Sequence, residues 1–155
     1  TGRSAENRLT DPDGGMKYHY EVPGDDFSRA GNASAEMKKT LQRLGIPASV
    51  IKRTAVAMYE AEIIMVVHAG GGEADITTDP NLIPSEMTDH GPGIPDLAQA
   101  MQDGWSSAPD LVRELGFGAG MGLPNMKRNS DEMTIETGPD KGTKVTMKIH
   151  VPEAF

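Results

Sequence analysis

The sequence predicts an α+β fold: a two-layer sandwich with helices on one face of a mixed, mostly antiparallel sheet. Three observations carry this. The periodicities run strand, two helices, two strands, a long glycine-bearing segment, helix, two strands. That order is not the regular strand–helix alternation of a doubly wound parallel sheet. The clearest strands alternate, with Tyr18, Tyr20 and Val22 on one side and Lys17, His19 and Glu21 on the other, so one face is buried and one is wet. Finally, 155 residues suit one domain with a single core, and the lack of cysteine excludes a disulfide scaffold or a thiolate metal centre.

Residues 1–15 (TGRSAENRLTDPDGG) are polar, rich in turn formers and without apolar period. They are expected to be a disordered tail or cloning remnant, leaving 16–155 as the single domain. Met16 to Val22 is the first strand, closed by Pro23-Gly24-Asp25-Asp26. A helix follows from Ser28 to Leu44, with Ala33, Met37, Leu41 and Leu44 spaced four, four and three apart, and Gly45 ends it. Pro47 suits the first position of a second helix reaching His68. Its core face is Val50, Ile51, Ala55, Met58, Ala61 and Met65, and Gly70-Gly71-Gly72 stops it.

Ala74 to Thr78 and Leu82 to Thr88 read as strands around a turn at Asp79-Pro80-Asn81. Pro84 cannot donate to a ladder, so the second of these lies on an edge or is locally broken. Asp89 to Asp96 is a loop, Leu97 to Met101 a short helix, and Asp110 to Leu115 helical. The last elements are a helix at Leu123 to Asn129 and strands at Met133 to Thr137 and Thr143 to Val151. The 10 methionines fall mostly at core spacing and read as filler.

A net charge of −8 argues against direct nucleic-acid binding. The longest strongly apolar run, Ile63 to Val67, is too short to span a bilayer, and no secretory signal opens the chain. A cytoplasmic protein without membrane contact is expected.

Three stretches stand out. Leu115 to Arg128 (LGFGAGMGLPNMKR) places Gly116, Gly118, Gly120 and Gly122 on alternate positions before a helix. Side chains that would hold a ligand off the backbone are gone, and free N–H groups run into a helix N-terminus, which suits an anion. Glu60, Ile64 and His68, at i, i+4 and i+8, form a stripe apart from the face through Met58 and Met65. Asp89-His90-Gly91-Pro92-Gly93 sets an acceptor beside glycines over which a flat ring could lie. Each alone fits a blander reading: a flexible turn, a solvated helix edge, an Asx turn.

Together, YEAEIIMVVHA at Tyr59 to Ala69, DHGPGIPD at Asp89 to Asp96, GFGAGMGLPNMKR at Gly116 to Arg128 and KGTKV at Lys141 to Val145 resemble the GHKL ATPase superfamily. Within it the match is to the small anti-sigma-factor serine kinases. The resemblance implies the Bergerat-type ATP-binding fold and bound ATP or ADP. It implies that Asp89 accepts from the adenine amine, with Gly91, Gly93 and Thr143 completing the adenine contacts. Gly116, Gly118, Ala119, Gly120, Met121 and Gly122 would face the phosphates, and Leu97 to Leu115 would form a lid. Glu60 would be the base that deprotonates a protein serine, with His68 near the same pocket. Magnesium is expected for the family, but Ile64 stands where the family has the asparagine that holds it, and an alkyl group offers a hard cation no donor.

Two functions follow. One is an ATP-binding regulator that binds a sigma factor or anti-anti-sigma-like protein and phosphorylates a serine. The other is an inactive nucleotide-binding module or accessory subunit of an enzyme complex. Either admits a homodimer.

Overall fold

The computed structural model describes residues 7–10, 16–24, 27–91, 93, 122–138 and 142–152. Six strands, β1 (Asn7–Thr10), β2 (Met16–Pro23), β3 (Gly71–Thr78), β4 (Leu82–Asp89), β5 (Glu132–Thr137) and β6 (Thr143–His150), form one sheet in the order β1-β2-β3-β4-β6-β5. Every neighbouring pair among them is antiparallel. The helices are α1 (Asn32–Arg43), led in by a 3-10 turn at Phe27–Arg29, α2 (Ala48–Ala69) and α3 (Gly122–Arg128).

The two-layer architecture follows from the alternation. Tyr18, Tyr20 and Val22 of β2, Ala74 and Ile76 of β3, Ile83 and Met87 of β4, and Val145, Met147 and Ile149 of β6 are all buried. They meet Met37 and Leu41 of α1 and Met58, Ala61 and Met65 of α2 in one core. The opposite sheet face carries charge, as in the cross-strand pair His19 and Asp75, whose Nδ1 and Oδ1 are 2.6 Å apart.

Three details correct the sequence reading. Asn7–Thr10 pair with Met16 to His19, so part of the expected tail is a strand; an edge ladder needs backbone groups, not an apolar period. Leu44 lies just past α1 and is 46% exposed, outside the core its spacing suggested. β4 is central, not an edge, yet its ladder to β3 runs only from Gly72↔Asp89 to Ile76↔Ser85. Asp79 and Leu82 exchange both backbone hydrogen bonds (3.1 and 3.4 Å), so the next such pair, two residues on, would be Thr77 with Pro84. Proline has no N–H to give, and the ladder breaks there. Beside it, Ser85 is buried and its Oγ has no partner among the described residues.

This topology assembles the site. β6 lies beside β4, so Asp89 at the end of β4 is directly opposite Thr143 at the start of β6. α2 ends at Gly70 in the left-handed conformation (φ 72°), and the chain turns at once into β3, whose Gly72 pairs with Asp89. The end of α2 therefore meets the Asp89–Thr143 pair.

Candidate functional site

A cavity opens between α2, α3 and the β4–β6 end of the sheet. Its lining includes Ile64 and His68 from α2, Asp89 and Gly93 from the end of β4 and beyond, and Thr143. Its apolar walls come from Met65, Met87, Leu123, Met126 and Val145. Five residues expected at the site thus line one cavity. The sequence reading missed the walls: Met65, Met87 and Met126 read only as core filler, and nothing in a methionine's spacing separates a core from a ligand wall.

Asp89 is 8% exposed and held by two backbone donors. The Gly91 N–H donates to Oδ1 at 3.0 Å and the Thr143 N–H donates to the same oxygen at 3.1 Å. One carboxylate oxygen is thereby fixed, while Oδ2 takes no hydrogen bond from the described residues. The Thr143 hydroxyl lies 2.9 Å from the Thr137 hydroxyl, which ties the start of β6 to β5.

The glycines around Asp89 are there for close approach. A Cβ on Gly91 would sit 2.6 Å from the Ala69 Cβ, against the end of α2. Gly93 (φ 85°) has left-handed backbone, and a Cβ on it would reach 2.2 Å from the Gly138 carbonyl oxygen. Gly142 behaves likewise (φ 76°), blocked by the Asp89 carbonyl at 2.2 Å.

Glu60 lies beside this cavity, one turn before Ile64. A Cβ on Gly122 would be 2.9 Å from Ile64 Cδ1 and 3.7 Å from Glu60 Oε2, so the first turn of α3 packs directly on both. Burial pushes the Glu60 carboxyl above its ordinary value, and a hydrogen bond with the Asn125 side chain pulls it partly back. Burial also holds the His68 imidazole below its ordinary value, while the nearby Asp89 charge pulls it up. Gly116, Gly118, Ala119, Gly120 and Met121, and the expected lid at 97–115, lie outside the described residues.

A different glutamate proves structural. Glu62, 1% exposed, accepts from the backbone N–H groups of Gly31 (3.1 Å), Ala33 (2.9 Å) and Ser34 (3.0 Å). It closes the N-terminus of α1 from another helix, where no side chain of α1's own N-cap, Gly31, could. The sequence clue was an acid inside the apolar run AEIIMVV.

Ile64 supplies no oxygen, and among the described residues no three His, Cys, Asp or Glu side chains converge on a point.

The family model for the histidine kinase-like ATPase domain matches residues 25–149. The anti-sigma F factor of Clostridium novyi is 32% identical over 141 residues, covering 86% of this chain and 90% of that protein. That of Clostridium acetobutylicum is 27% identical over 140 residues, with the same shares covered. The serine/threonine-protein kinase RsbT of Bacillus subtilis is 39% identical over 57 residues, 37% of each chain. Among solved structures, the mycobacterial sensor histidine kinase MprB superposes with a TM-score of 0.51 at 15% identity, covering 88% of this chain and 98% of that one. That likeness is one of fold.

Proposed function

The chain belongs to the histidine kinase-like ATPase domain family, and on that premise we propose that it is an ATP-binding cytoplasmic regulator that acts through a protein partner. The observation that carries the reading is Asp89. One of its oxygens is fixed by two amides, the other takes no hydrogen bond from the described residues, and the residue lines an apolar cavity. Such a carboxylate selects a flat ring bearing an amino group, as adenine does. Guanine presents a carbonyl at the corresponding place, and two acceptors repel. Apolar walls would take the ring, and Gly91, Gly93 and Gly142 keep the backbone close to it.

The partner is read from the relatives. Two are named anti-sigma F factors and one a serine/threonine-protein kinase, which points to a sigma-type or antagonist protein as the bound partner and a serine as phosphoryl acceptor. In that reaction ATP supplies the phosphoryl group, and Glu60 takes the hydroxyl proton. Burial suits Glu60 to the task, because a carboxyl raised toward neutrality is a stronger base. Ile64 favours a second reading, a nucleotide-binding module without transfer activity, because an alkyl group at position 64 offers a cation no donor.

Titration calorimetry with ATP, ADP and GTP, each with and without magnesium, tests the first claim. ATP should bind, GTP should not, and magnesium should change ATP affinity little. Radiolabelled transfer to candidate serine-bearing partners separates kinase from inactive module. Equal affinity for ATP and GTP would remove Asp89 from its role.

A further inference from the structure

Thr137 stands one strand behind the cavity and reaches two residues that line it. It ends β5 directly opposite Thr143, the first residue of β6. Alternation puts it on the same face of β5 as Met133 and Ile135, which pack on the core. Its hydroxyl lies 2.9 Å from the Thr143 hydroxyl. Gly93 is close as well, since a Cβ built on it would sit 3.2 Å from Thr137 Oγ1. Thr143 and Gly93 both line the cavity.

The Thr143 main chain is already committed, its N–H donating to Asp89 Oδ1 at 3.1 Å. Its hydroxyl has one proton to place. The direction of the 2.9 Å bond decides where that proton goes. If Thr143 donated to Thr137, the two polar groups beside each other in the cavity, Asp89 Oδ2 and Thr143 Oγ1, would both be acceptors. If Thr137 donates, the Thr143 proton is left for the cavity. The Gly142 carbonyl oxygen is 3.4 Å from Thr137 Oγ1, beyond the usual O–H···O range, so it competes weakly for the Thr137 proton.

We propose that Thr137 is a positioning residue for base recognition: by donating to the Thr143 hydroxyl it turns the Thr143 proton into the cavity, beside the Asp89 carboxylate. The proposal deepens the adenine reading and rests on it. Asp89 and Thr143 then present an acceptor next to a donor. Adenine carries the complementary pair, because its amine is flanked by bare ring nitrogens, N1 on one side and N7 on the other. Asp89 reads the amine, and Thr143 reads one of those nitrogens.

The test is titration calorimetry on the full chain with ATP and with its 1-deaza and 7-deaza analogues, in which a C–H replaces one ring nitrogen. In wild type one analogue should bind roughly tenfold more weakly than ATP, and the other about as well as ATP. Thr143→Val should abolish that difference, since ATP then gains nothing from the nitrogen. Thr137→Val keeps the branched shape and exchanges only the hydroxyl for a methyl, and it should shrink the difference to about twofold. Thr137→Ser should restore it. A merely structural role would weaken ATP and both analogues alike, so a wild-type ratio in Thr137→Val overturns the proposal. If Thr137→Val does not fold, Thr137→Ala is read in the same way. Two analogues that both bind wild type as ATP does also overturn it, while the nucleotide reading stands. A wild type that binds no ATP overturns that reading and this proposal together.

Discussion

Glu62 and Glu60 sit two residues apart on α2, and their surroundings differ in every respect that decides a carboxylate's role. Glu62 is fully buried, and three amides of the turn that starts α1 converge on it. Glu60 is half-buried and lies beside the cavity against the first turn of α3, and among the described residues the one side-chain group that pulls its raised carboxyl back down is Asn125. Helical geometry makes the split, because two residues along a helix are about 200° around it and face different neighbours. One face of α2 is committed to α1 and the sheet. The other, carrying Glu60, Ile64 and His68, faces the cavity and the first turn of α3. Saturation of hydrogen bonds marks Glu62 as the structural acid, and the reading proposed above gives the chemistry to Glu60.

The largest test of this contrast is Glu62→Ala. It leaves three N–H groups unpaired at a buried helix start and should destabilise the fold by about 3–5 kcal/mol. Glu60→Ala should stay within about 1 kcal/mol of wild type, since it orphans only one side-chain amide. Urea unfolding of both variants reads the difference directly. Equal losses would mean that Glu60 is as structural as Glu62, and the contrast fails.

Next in size is Asp89→Ala, which tests ligand recognition at the other end of the cavity and also leaves the Gly91 and Thr143 amides without their acceptor. Losing the acceptor should weaken ATP binding by about 1–3 kcal/mol. Calorimetry on wild type and variant checks it, and unchanged affinity would show that the ring is held elsewhere.

Much of the polar lining of the cavity was legible in the sequence, and for stated reasons. Asp89 and Thr143 were legible as separate signals, an acid before glycines and a threonine heading a strand. Their direct pairing was not, because it depends on β6 lying beside β4, which is a fact of topology. The stripe through Glu60, Ile64 and His68 was legible from helical spacing, and all three lie on or beside the cavity. The role of Glu62 was not: an acid inside the apolar run of α2 hints at burial, but its partners are about thirty residues away in sequence and the run does not name them. Pro84 announced a broken ladder, and the break is there, but the strand is central because only one of its two neighbours needs the missing N–H. The Asn7–Thr10 strand left no pattern, because backbone pairing at an edge asks nothing of the side chains.

A smaller effect is expected at Ile64. Ile64→Asn trades an alkyl group packed on Gly122 for an amide, and should cost about 1 kcal/mol of stability through lost apolar burial. In exchange it offers an oxygen donor to a hard cation riding on the phosphates. ATP affinity should become more dependent on magnesium in the variant than in wild type. Matching magnesium dependence in the two proteins would show that the cation is held without this position, and Ile64 would lose its place in the contrast.

The smallest effect is a change of slope with pH, and it belongs to His68. Burial lowers the His68 pKa in the folded protein, with the Asp89 charge opposing it. The folded state therefore prefers the neutral ring. As pH falls through the ordinary histidine value of 6.5, the unfolded chain takes up a proton before the folded one does. The stability due to the neutral ring is present above that value and declines as pH falls toward the lowered one. Unfolding free energy measured from about pH 7.5 down to about pH 5 should thus carry a downward limb that His68→Gln flattens. Subtracting the two profiles cancels every other group. Asp89→Asn sharpens the result, because it removes the charge that supports imidazolium and should steepen the limb in a protein that keeps His68. In His68→Gln the same Asp89→Asn change should leave the slope alone. Parallel profiles for wild type and His68→Gln would show that the ring does not sense the fold, and that this face of α2 is coupled to Asp89 through shape alone.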